Sequence, residues 1–362
     1  MGTVCFVVGA RPNFVKTAPV VFALRELGIP ALVVHTGQHY DREMSDVFIS
    51  ELGLPQPDVF LGVGSGTHAE QTARALVGIE TALRERRPDV VVVPGDVNST
   101  LAGALAAVKL EIPVCHLEAG LRSFDWSMPE EHNRRLTDHA SKLLLVHSES
   151  AIHNLADEGI RTNVVLVGNT MIDSLLGYVD AARALAPWTR LEVSRGDFVL
   201  VTLHRPALVD DKDLLARTVD ALIELADTTP VVFPIHPRTR ARIDGDGHAG
   251  RLEKSRVVTC EPLSYLEFLG LEAEARAVVT DSGGVQEETS ALGVPCFTIR
   301  DSTERPVTVE LGTNTMLGAR PERIVEVAGL LAEPKRGGPI PFWDGAAGRR
   351  AGEAVVRLLE AS

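Results

Sequence analysis

The sequence lacks the features that mark disulfide-linked or membrane-spanning proteins. Its four cysteines lie far apart and form no C-x-x-C pair, so we expect reduced cysteines in a cytoplasmic protein. No apolar run approaches the length that crosses a bilayer. The chain enters an apolar run almost at once, without a basic leader or a cleavage site, which predicts that there is no signal peptide.

Zinc and dinucleotide motifs are missing too. The 11 histidines fit no zinc pattern, and there is no H-E-x-x-H. The glycine-rich segment 62–66 has the wrong spacing for a dinucleotide fingerprint, and Thr67 after it predicts a helix cap with Glu70. We therefore expect no metal and no organic cofactor.

Positive charge is scarce. The chain has 36 Lys and Arg against 49 Asp and Glu, a formal net charge of −13. This balance argues against a nucleic-acid partner or an anionic membrane surface, because both need clustered cations. Only 6 of the cations are lysines, and the excess of arginine fits either phosphate recognition or a G+C-rich gene.

The pattern along the chain predicts an α/β protein. A chain of 362 residues is longer than one core usually supports. Short runs that are apolar almost throughout alternate with amphipathic segments, as in parallel sheets covered on both faces. We predict two doubly wound domains, residues 1–168 and 169–344, with a last helix at 345–362 packing back on the first. The glycine-rich segment 243–254 predicts an exposed loop.

The most informative stretch is Val278 to Glu288, where an apolar run breaks at Ser282-Gly283-Gly284 before helix-forming residues. It predicts a strand, a tight turn and a helix N-terminus, whose free N–H groups and dipole suit a pyrophosphate. Glu288, one turn beyond Gly284, could accept ribose hydroxyls. Taken alone, the segment could also be an ordinary glycine-containing connection.

Polar residues follow most of the other predicted strands, where open parallel sheets bind ligands. They include Arg11, Lys16, Gln38, His39, Asp96, Glu118, His204, His236 and Arg305. Arg11 and Arg305 each neighbour a proline, and phosphate binding is favoured over surface ion pairs for both. Asp96 could cap the helix that begins near Ser99, whereas Glu118 follows an apolar strand directly and indicates a function.

Together these motifs resemble the non-hydrolysing UDP-N-acetylglucosamine 2-epimerases. The matching segments follow one another along almost the whole chain: Gly9-Ala10-Arg11-Pro12, Thr36-Gly37-Gln38-His39, Gly95-Asp96, His116-Leu117-Glu118-Ala119-Gly120-Leu121-Arg122, Pro129-Glu130-Glu131-His132-Asn133-Arg134, Gly168-Asn169-Thr170, His204-Arg205, Asp281-Ser282-Gly283-Gly284-Val285-Gln286-Glu287-Glu288 and Thr303-Glu304-Arg305-Pro306. The resemblance implies a GT-B fold, that is, two Rossmann-like domains with an interdomain cleft. It also implies that UDP binds mainly to the second domain and that the protein is a homodimer.

The resemblance implies roles for individual residues. The implied catalytic residues are Asp96, Glu118, Glu130 and His204. The implied UDP-binding residues are Arg11, Lys16, Ser282, Gly283, Gly284 and Arg305, with Glu288 at the ribose and Phe268 at the uracil. Gln38, His39, Glu131 and His236 are secondary or supporting candidates.

The implied reaction inverts C2 of UDP-N-acetylglucosamine to give UDP-N-acetylmannosamine. Expulsion of UDP from C1 allows the C2 proton to leave and gives 2-acetamidoglucal, after which UDP adds back as a proton arrives on the opposite face. The two faces suggest more than one acid–base group. Which carboxylate removes the proton and which returns it stays open.

Two segments depart from the family pattern. Where many members have His-Arg-Arg-Glu-Asn, this chain has His204-Arg205-Pro206-Ala207-Leu208. Bacterial members regulated by a second UDP-N-acetylglucosamine tend to have Arg before the Gln-Thr pair, where this chain has Glu70. A negative charge there would repel a diphosphate, so we expect allosteric activation to be weak or absent.

Four alternatives stay open. A hydrolysing epimerase would share the binding motifs and release N-acetylmannosamine and UDP. Some relatives act on UDP-diacetamido-uronic acids. A GT-B glycosyltransferase would use the same donor site without needing the acidic residues of the first half, and a UDP-sugar sensor would need no chemistry. The sugar substituents and the pathway served, whether cell wall, capsule or secondary metabolite, stay open too.

Overall fold

The apolar runs form two parallel β-sheets in a computed structural model, which describes residues 2–38, 51, 53–54 and 56–361 apart from the Arg11 side chain. Each sheet belongs to its own unit. The first unit contains the chain up to Ser174 and again from Pro341, and the second contains Leu175–Ile340.

In the described residues, the first unit has a seven-stranded sheet. Its strands are β1 (Val4–Val8), β2 (Ala31–His35), β3 (Val59–Phe60), β4 (Val90–Pro94), β5 (Val114–Leu117), β6 (Leu143–Val146) and β7 (Val164–Leu166). Their order is β3-β2-β1-β4-β5-β6-β7, and every pairing is parallel. Val4 of β1 pairs with Ala31 on one side and Val90 on the other. The order reverses between β1 and β4, which is where ligands bind in such sheets.

The second unit has a six-stranded sheet in the described residues. Its strands are β8 (Val199–Thr202), β9 (Val231–Pro234), β10 (Val257–Cys260), β11 (Ala277–Thr280), β12 (Cys296–Thr298) and β13 (Asn314–Met316). Their order is β10-β9-β8-β11-β12-β13, again all parallel. The reversal lies between β8 and β11. The predicted α/β class with two Rossmann-like domains is confirmed.

Helices connect the strands in both units. In chain order they are α1 (Arg11–Glu26), α2 (His68–Arg86), α3 (Asn98–Lys109), α4 (Pro129–Ala140), α5 (Glu149–Asp157), α6 (Thr170–Ala184), α7 (Pro187–Arg190), α8 (Pro206–Val209), α9 (Lys212–Ala226), α10 (Pro237–Gly245), α11 (Ala249–Glu253), α12 (Tyr265–Ala273), α13 (Gly283–Leu292), α14 (Pro306–Glu310), a 3₁₀ helix (Pro321–Glu326), α15 (Val327–Leu330) and α16 (Ala347–Glu360). None of the helices in the described ranges is both long and apolar enough to cross a lipid bilayer.

The prediction of a loop over 243–254 is wrong, because α10 continues to Gly245 and α11 follows it. Ile243 and Leu252 are both buried in the core that covers one face of the second sheet. Their burial holds this glycine-rich segment against the core, because burying each apolar side chain stabilises the fold by about 1.5–3 kcal/mol.

Helix α16 returns to the first unit and packs on α1. Its first turn is tied down by Asp173, which accepts hydrogen bonds from the N–H groups of Ala347 (3.1 Å) and Gly348 (2.6 Å). A Cβ at Gly348 would lie 2.5 Å from the Cβ of Pro19. The absence of a side chain at Gly348 therefore lets the two helices approach closely.

Candidate functional site

The reversal point of the first sheet is fixed by Asn13. Its Oδ1 accepts hydrogen bonds from the N–H groups of Gly9 and Ala10, each at 3.0 Å. Its Nδ2 donates to the carbonyl of Pro94 at 3.4 Å, which ties the ends of β1 and β4 together. Arg11 begins α1, but its side chain and all of His39 lie outside the described residues, so their roles stay predictions.

Lys16 and Glu118 form a buried ion pair at this edge of the sheet, with Nζ in contact with Oε2. Glu118 has a φ of 72°, a left-handed conformation that costs a non-glycine residue energy and often marks a functional site. Gly95 at the end of β4 has a φ of 66°, and a Cβ there would lie 3.2 Å from Lys16 Nζ. The pair lines a small pocket together with Leu117, His147, Gly168, Asn169 and Thr170.

Asp96, the residue after Gly95, is held by Arg134 of α4. Arg134 donates to Asp96 Oδ2 from Nε at 2.9 Å and from Nη2 at 2.6 Å. The Asp96 side chain keeps 23% of its surface exposed, enough for a substrate to reach it. The alternative that Asp96 is the N-cap of α3 is wrong, because Val97 is the N-cap residue of this helix.

The two glutamates that begin α4 have different surroundings. Glu131 is fully buried, and its Oε2 accepts from Ser123 N (2.8 Å), Ser123 Oγ (2.9 Å) and Arg134 Nη1 (3.0 Å). Burial raises the pKa of Glu131, but the hydrogen bonds from Ser123 and the charge of Arg134 outweigh burial and lower the pKa. Glu131 thus anchors the chain before α4. Glu130 is half-buried in the first turn, where the helix dipole favours a carboxylate.

Gln38 links the end of β2 to α3. It is buried, and its Oε1 accepts hydrogen bonds from the Ser99 hydroxyl at 2.8 Å and the Ser99 N–H at 3.3 Å. Nearby, Glu70 caps its own helix by accepting from Thr67 N at 3.0 Å and Thr67 Oγ1 at 3.1 Å. These hydrogen bonds lower the pKa of Glu70, so it carries a negative charge at neutral pH.

In the second unit, Ser282 is the N-cap residue of α13 and Gly283 is its first residue. A Cβ at Gly283 would lie 2.4 Å from Arg305 Nη1, so the arginine reaches the helix end only because this residue is glycine. Arg305 is buried, and its Nε lies 3.0 Å from Glu287 Oε1. The predicted glycines, serine and arginine are therefore brought together.

Arginines crowd around Glu304 beside this helix end. Arg300 donates to both Glu304 oxygens at 3.0 Å, while Arg205 and Arg305 each approach to 3.4 Å. Burial raises the pKa of Glu304, but the three guanidinium groups outweigh it and hold the pKa well below its usual range. Three guanidinium groups therefore lie beside Glu304. Together with the free N–H groups of α13, their charge suits an anion.

His204 and His236 are neighbours, with ring centroids 5.4 Å apart. Asp281 positions the first of them, accepting from His204 N at 2.9 Å and lying 3.2 Å from His204 Nδ1. Burial raises the pKa of Asp281, but the contacts with His204 outweigh burial, lower the pKa and keep Asp281 ionised. His236 caps α10, where its Nδ1 accepts from Arg238 N at 3.2 Å.

Glu288 makes a buried contact with a second carboxyl group, which the sequence did not predict. Its Oε1 accepts from the Tyr265 hydroxyl at 3.4 Å, and its carboxyl group is hydrogen-bonded to that of Glu272. Burial and the charge of Glu287 raise the pKa of Glu288 to about 8, while burial and Glu288 raise the pKa of Glu272 well above its ordinary value. The available signal was a glutamate within the otherwise apolar residues 269–273 of α12. Phe268 of the same helix packs, partly buried, against the core of the second unit, and its uracil contact stays a prediction.

Comparisons with known proteins agree on one family. The family model described as UDP-N-acetylglucosamine 2-epimerase matches residues 23–356. The chain is 43% identical to the UDP-N-acetylglucosamine 2-epimerase of Methanocaldococcus jannaschii over 98% of this chain and 97% of that protein. It is 44% identical to the UDP-2,3-diacetamido-2,3-dideoxy-D-glucuronate 2-epimerase of Pseudomonas aeruginosa over 89% and 90%. The crystal structure of the M. jannaschii protein with UDP-N-acetylglucosamine and UDP is similar with a TM-score of 0.92, 42% identity, and coverage of 99% and 100%.

Proposed function

Because the chain belongs to the UDP-N-acetylglucosamine 2-epimerase family, we propose that it interconverts UDP-N-acetylglucosamine and UDP-N-acetylmannosamine without net hydrolysis. UDP leaves C1 as the C2 proton is removed, and adds back to the 2-acetamidoglucal as a proton is delivered to the other face. The bond between C1 and the diphosphate oxygen breaks and re-forms, so no oxidant or reductant is consumed.

The observation that carries this proposal is the anion site of the second unit, where the N-terminus of α13 meets Arg305 across Gly283. A leaving diphosphate gains negative charge, and fixed cations and N–H donors stabilise that charge. We assign Ser282, Gly283, Gly284 and Arg305 to the diphosphate and Glu288 to the ribose.

The first unit supplies the acid–base groups in this proposal. Glu118 is paired with Lys16, and Asp96 is paired with Arg134, so each can accept a proton from carbon as its cation gives way or is shared with the substrate. Glu130 is the third candidate, and His204 is proposed to act near the diphosphate. Each acid–base group of this kind can accelerate the reaction by about 10²–10⁴-fold.

Substitutions at the anion site and at the carboxylates separate UDP binding from catalysis. Arg305→Met should weaken UDP binding at least tenfold by calorimetry, because a charge-assisted contact is worth about 1.5–3 kcal/mol. Arg217→Met is a matched control, since Arg217 is half-exposed and pairs only at the surface with Glu322. Asp96→Asn and Glu118→Gln should keep UDP affinity and lose turnover. Full turnover in both would remove these carboxylates from the mechanism.

Isotope and product analysis test the reaction itself. Incubation with UDP-N-acetylglucosamine in heavy water should place deuterium at C2 in both nucleotide sugars, without accumulation of free N-acetylmannosamine. Accumulation of that sugar with UDP would show hydrolysis instead, and transfer to an added acceptor without C2 exchange would show a glycosyltransferase. We further propose a homodimer, which light scattering at micromolar concentration tests.

A second candidate substrate is a UDP-diacetamido-uronic acid, favoured by the similarity to the P. aeruginosa relative. The same C2 chemistry would apply, because the acetamido group at C2 is common to both sugars. Comparison of kcat/KM for the two nucleotide sugars decides between them.

A further inference from the structure

His116 lies within β5 and is fully buried. Its Nδ1 is 2.6 Å from Asp138 Oδ1, and its Nε2 is 2.8 Å from the carbonyl oxygen of Gly95. A carbonyl oxygen and an ionised carboxylate accept hydrogen bonds and do not donate them, so each ring nitrogen must carry a proton. A neutral imidazole would satisfy only one of these contacts.

Asp138 is held in its ionised form by other donors. Arg122 Nη2 lies 2.7 Å from Asp138 Oδ2, and the N–H of Gly120 donates to the same oxygen at 3.2 Å. The proton between His116 and Asp138 therefore belongs to the ring.

The charge balance of the surroundings agrees with a cationic ring. A continuous chain of ion pairs, which we call the ion-pair chain, leads from His116 back to the residue after Gly95. Its members are His116, Asp138, Arg122, Glu158, Arg135, Glu131, Arg134 and Asp96. Acidic and basic side chains alternate along these eight members, and His116 occupies a basic position. His139 touches the ion-pair chain only at its exposed edge, 4.0 Å from Glu158.

We propose that His116 is an imidazolium at neutral pH and positions Asp96 by holding the carbonyl of Gly95. Gly95 has a left-handed φ of 66°, so the direction of its carbonyl sets the path of the chain into Asp96. The side chain of Asp96 is held by Arg134, and the carbonyl of Asp96 accepts from Asn133 Nδ2 at 2.9 Å. The importance of this placement for turnover rests on the proposed epimerase function, in which Asp96 meets the substrate.

Two substitutions separate the two contacts of the ring. In His116→Gln the side-chain amide reaches the place of Nε2 and can still donate to Gly95. In His116→Asn it reaches only the place of Nδ1 and keeps the contact with Asp138. If holding Gly95 is what matters, His116→Asn should lower kcat by roughly tenfold or more, the usual effect of losing a charged hydrogen bond, and His116→Gln should lower kcat clearly less. KM and UDP affinity should change little in either variant.

The reverse ranking, or equal losses in the two variants, would overturn the positioning role. A folding defect is checked by the unfolding midpoint of each variant, and comparison is made between variants that retain the native circular dichroism spectrum. UDP affinity provides the second check, because the anion site lies in the other unit.

A spectroscopic test does not depend on activity. Protein labelled with ¹⁵N-histidine should show, at neutral pH, two proton-bearing ring nitrogens for His116 with imidazolium shifts, identified by their loss in His116→Asn. A neutral-tautomer pattern would refute the charge assignment. If the imidazolium signals are present but the protein has no epimerase activity, the proposed function fails and the charge assignment stands.

Discussion

The contact between Glu272 and Glu288 makes the stability of the second unit depend on pH. Glu272 is fully buried, and within the described residues neither of its oxygens has a donor other than the shared proton with Glu288. A buried carboxyl group with no cation beside it is stable in its protonated form. Folding therefore retains a proton on Glu272 that the unfolded chain releases above its ordinary pKa of 4.5.

The sign of the effect follows from this proton. A carboxyl group whose pKa is raised by folding stabilises the fold fully below the ordinary pKa, and that stability is lost as the pH rises toward the folded value. While Glu272 keeps its proton, the loss is about 1.4 kcal/mol per pH unit. The amide introduced by Glu272→Gln would keep the donor to Glu288 but has no proton to lose. We expect the stability of this variant relative to the wild type to rise with pH above the ordinary carboxyl pKa, for as long as Glu272 keeps its proton in the folded wild type.

The assay is urea unfolding followed by tryptophan fluorescence at several pH values. The chain has 3 tryptophans, and Trp188 packs against the core of the second unit. A background with Trp126→Phe and Trp343→Phe therefore reports on that unit alone. Glu261→Gln is a matched control, because the Glu261 side chain is 87% exposed. Parallel stability curves for wild type and Glu272→Gln would refute the protonated state of Glu272.

Two further predictions concern the first unit. Gly348→Ala should destabilise it by about 1–3 kcal/mol, because the new methyl group would overlap Pro19 of α1. The control Gly177→Ala lies in a helix of the second unit, with no atom within 4 Å of the new Cβ, and should be neutral or slightly stabilising. Thermal unfolding measures both, and equal effects would contradict the close packing of α16 on α1. In the proposed function, the reaction from UDP-N-acetylmannosamine should begin without added UDP-N-acetylglucosamine. The family resemblance implies that a regulatory diphosphate would bind beside Glu70, whose negative charge would repel it. A lag that the added nucleotide sugar abolishes would contradict this.

The sheets were predictable because their strands are apolar on both faces, and this pattern can be recognised in the sequence without knowledge of the tertiary structure. The edge strands β3 and β13 were not. Val59–Phe60 is only two residues long, and Asn314–Met316 begins with Asn and Thr, which are not typical of a buried strand. The helix α11 was not predicted because the glycines around it suggested a loop. The burial of Leu252 depends instead on the core against which it packs.

The site was predictable where a motif is contiguous, as in Ser282-Gly283-Gly284, or where a charged residue directly follows an apolar strand, as with Glu118. The partners of these residues were not predictable. The contact of His116 with Asp138 depends on how α4 lies against β5, and that of Glu272 with Glu288 depends on the packing of α12 on α13. Such contacts follow from tertiary packing, which a pattern of residue types does not specify.

The two units stabilise their carboxyl groups in different ways, one by pairing with cations and the other by protonation. In the first unit Glu118 and Asp96 are paired with the cations Lys16 and Arg134. In the second unit Glu272 is neutralised by a proton, which leaves Glu288 with a donor that is not a cation. A cation beside Glu288 would compete with ribose hydroxyls for its oxygens, whereas a neutral acid on one side leaves the other lone pairs available. In the proposed function, acid–base chemistry belongs to the ion-paired carboxylates and ribose recognition belongs to the protonated pair.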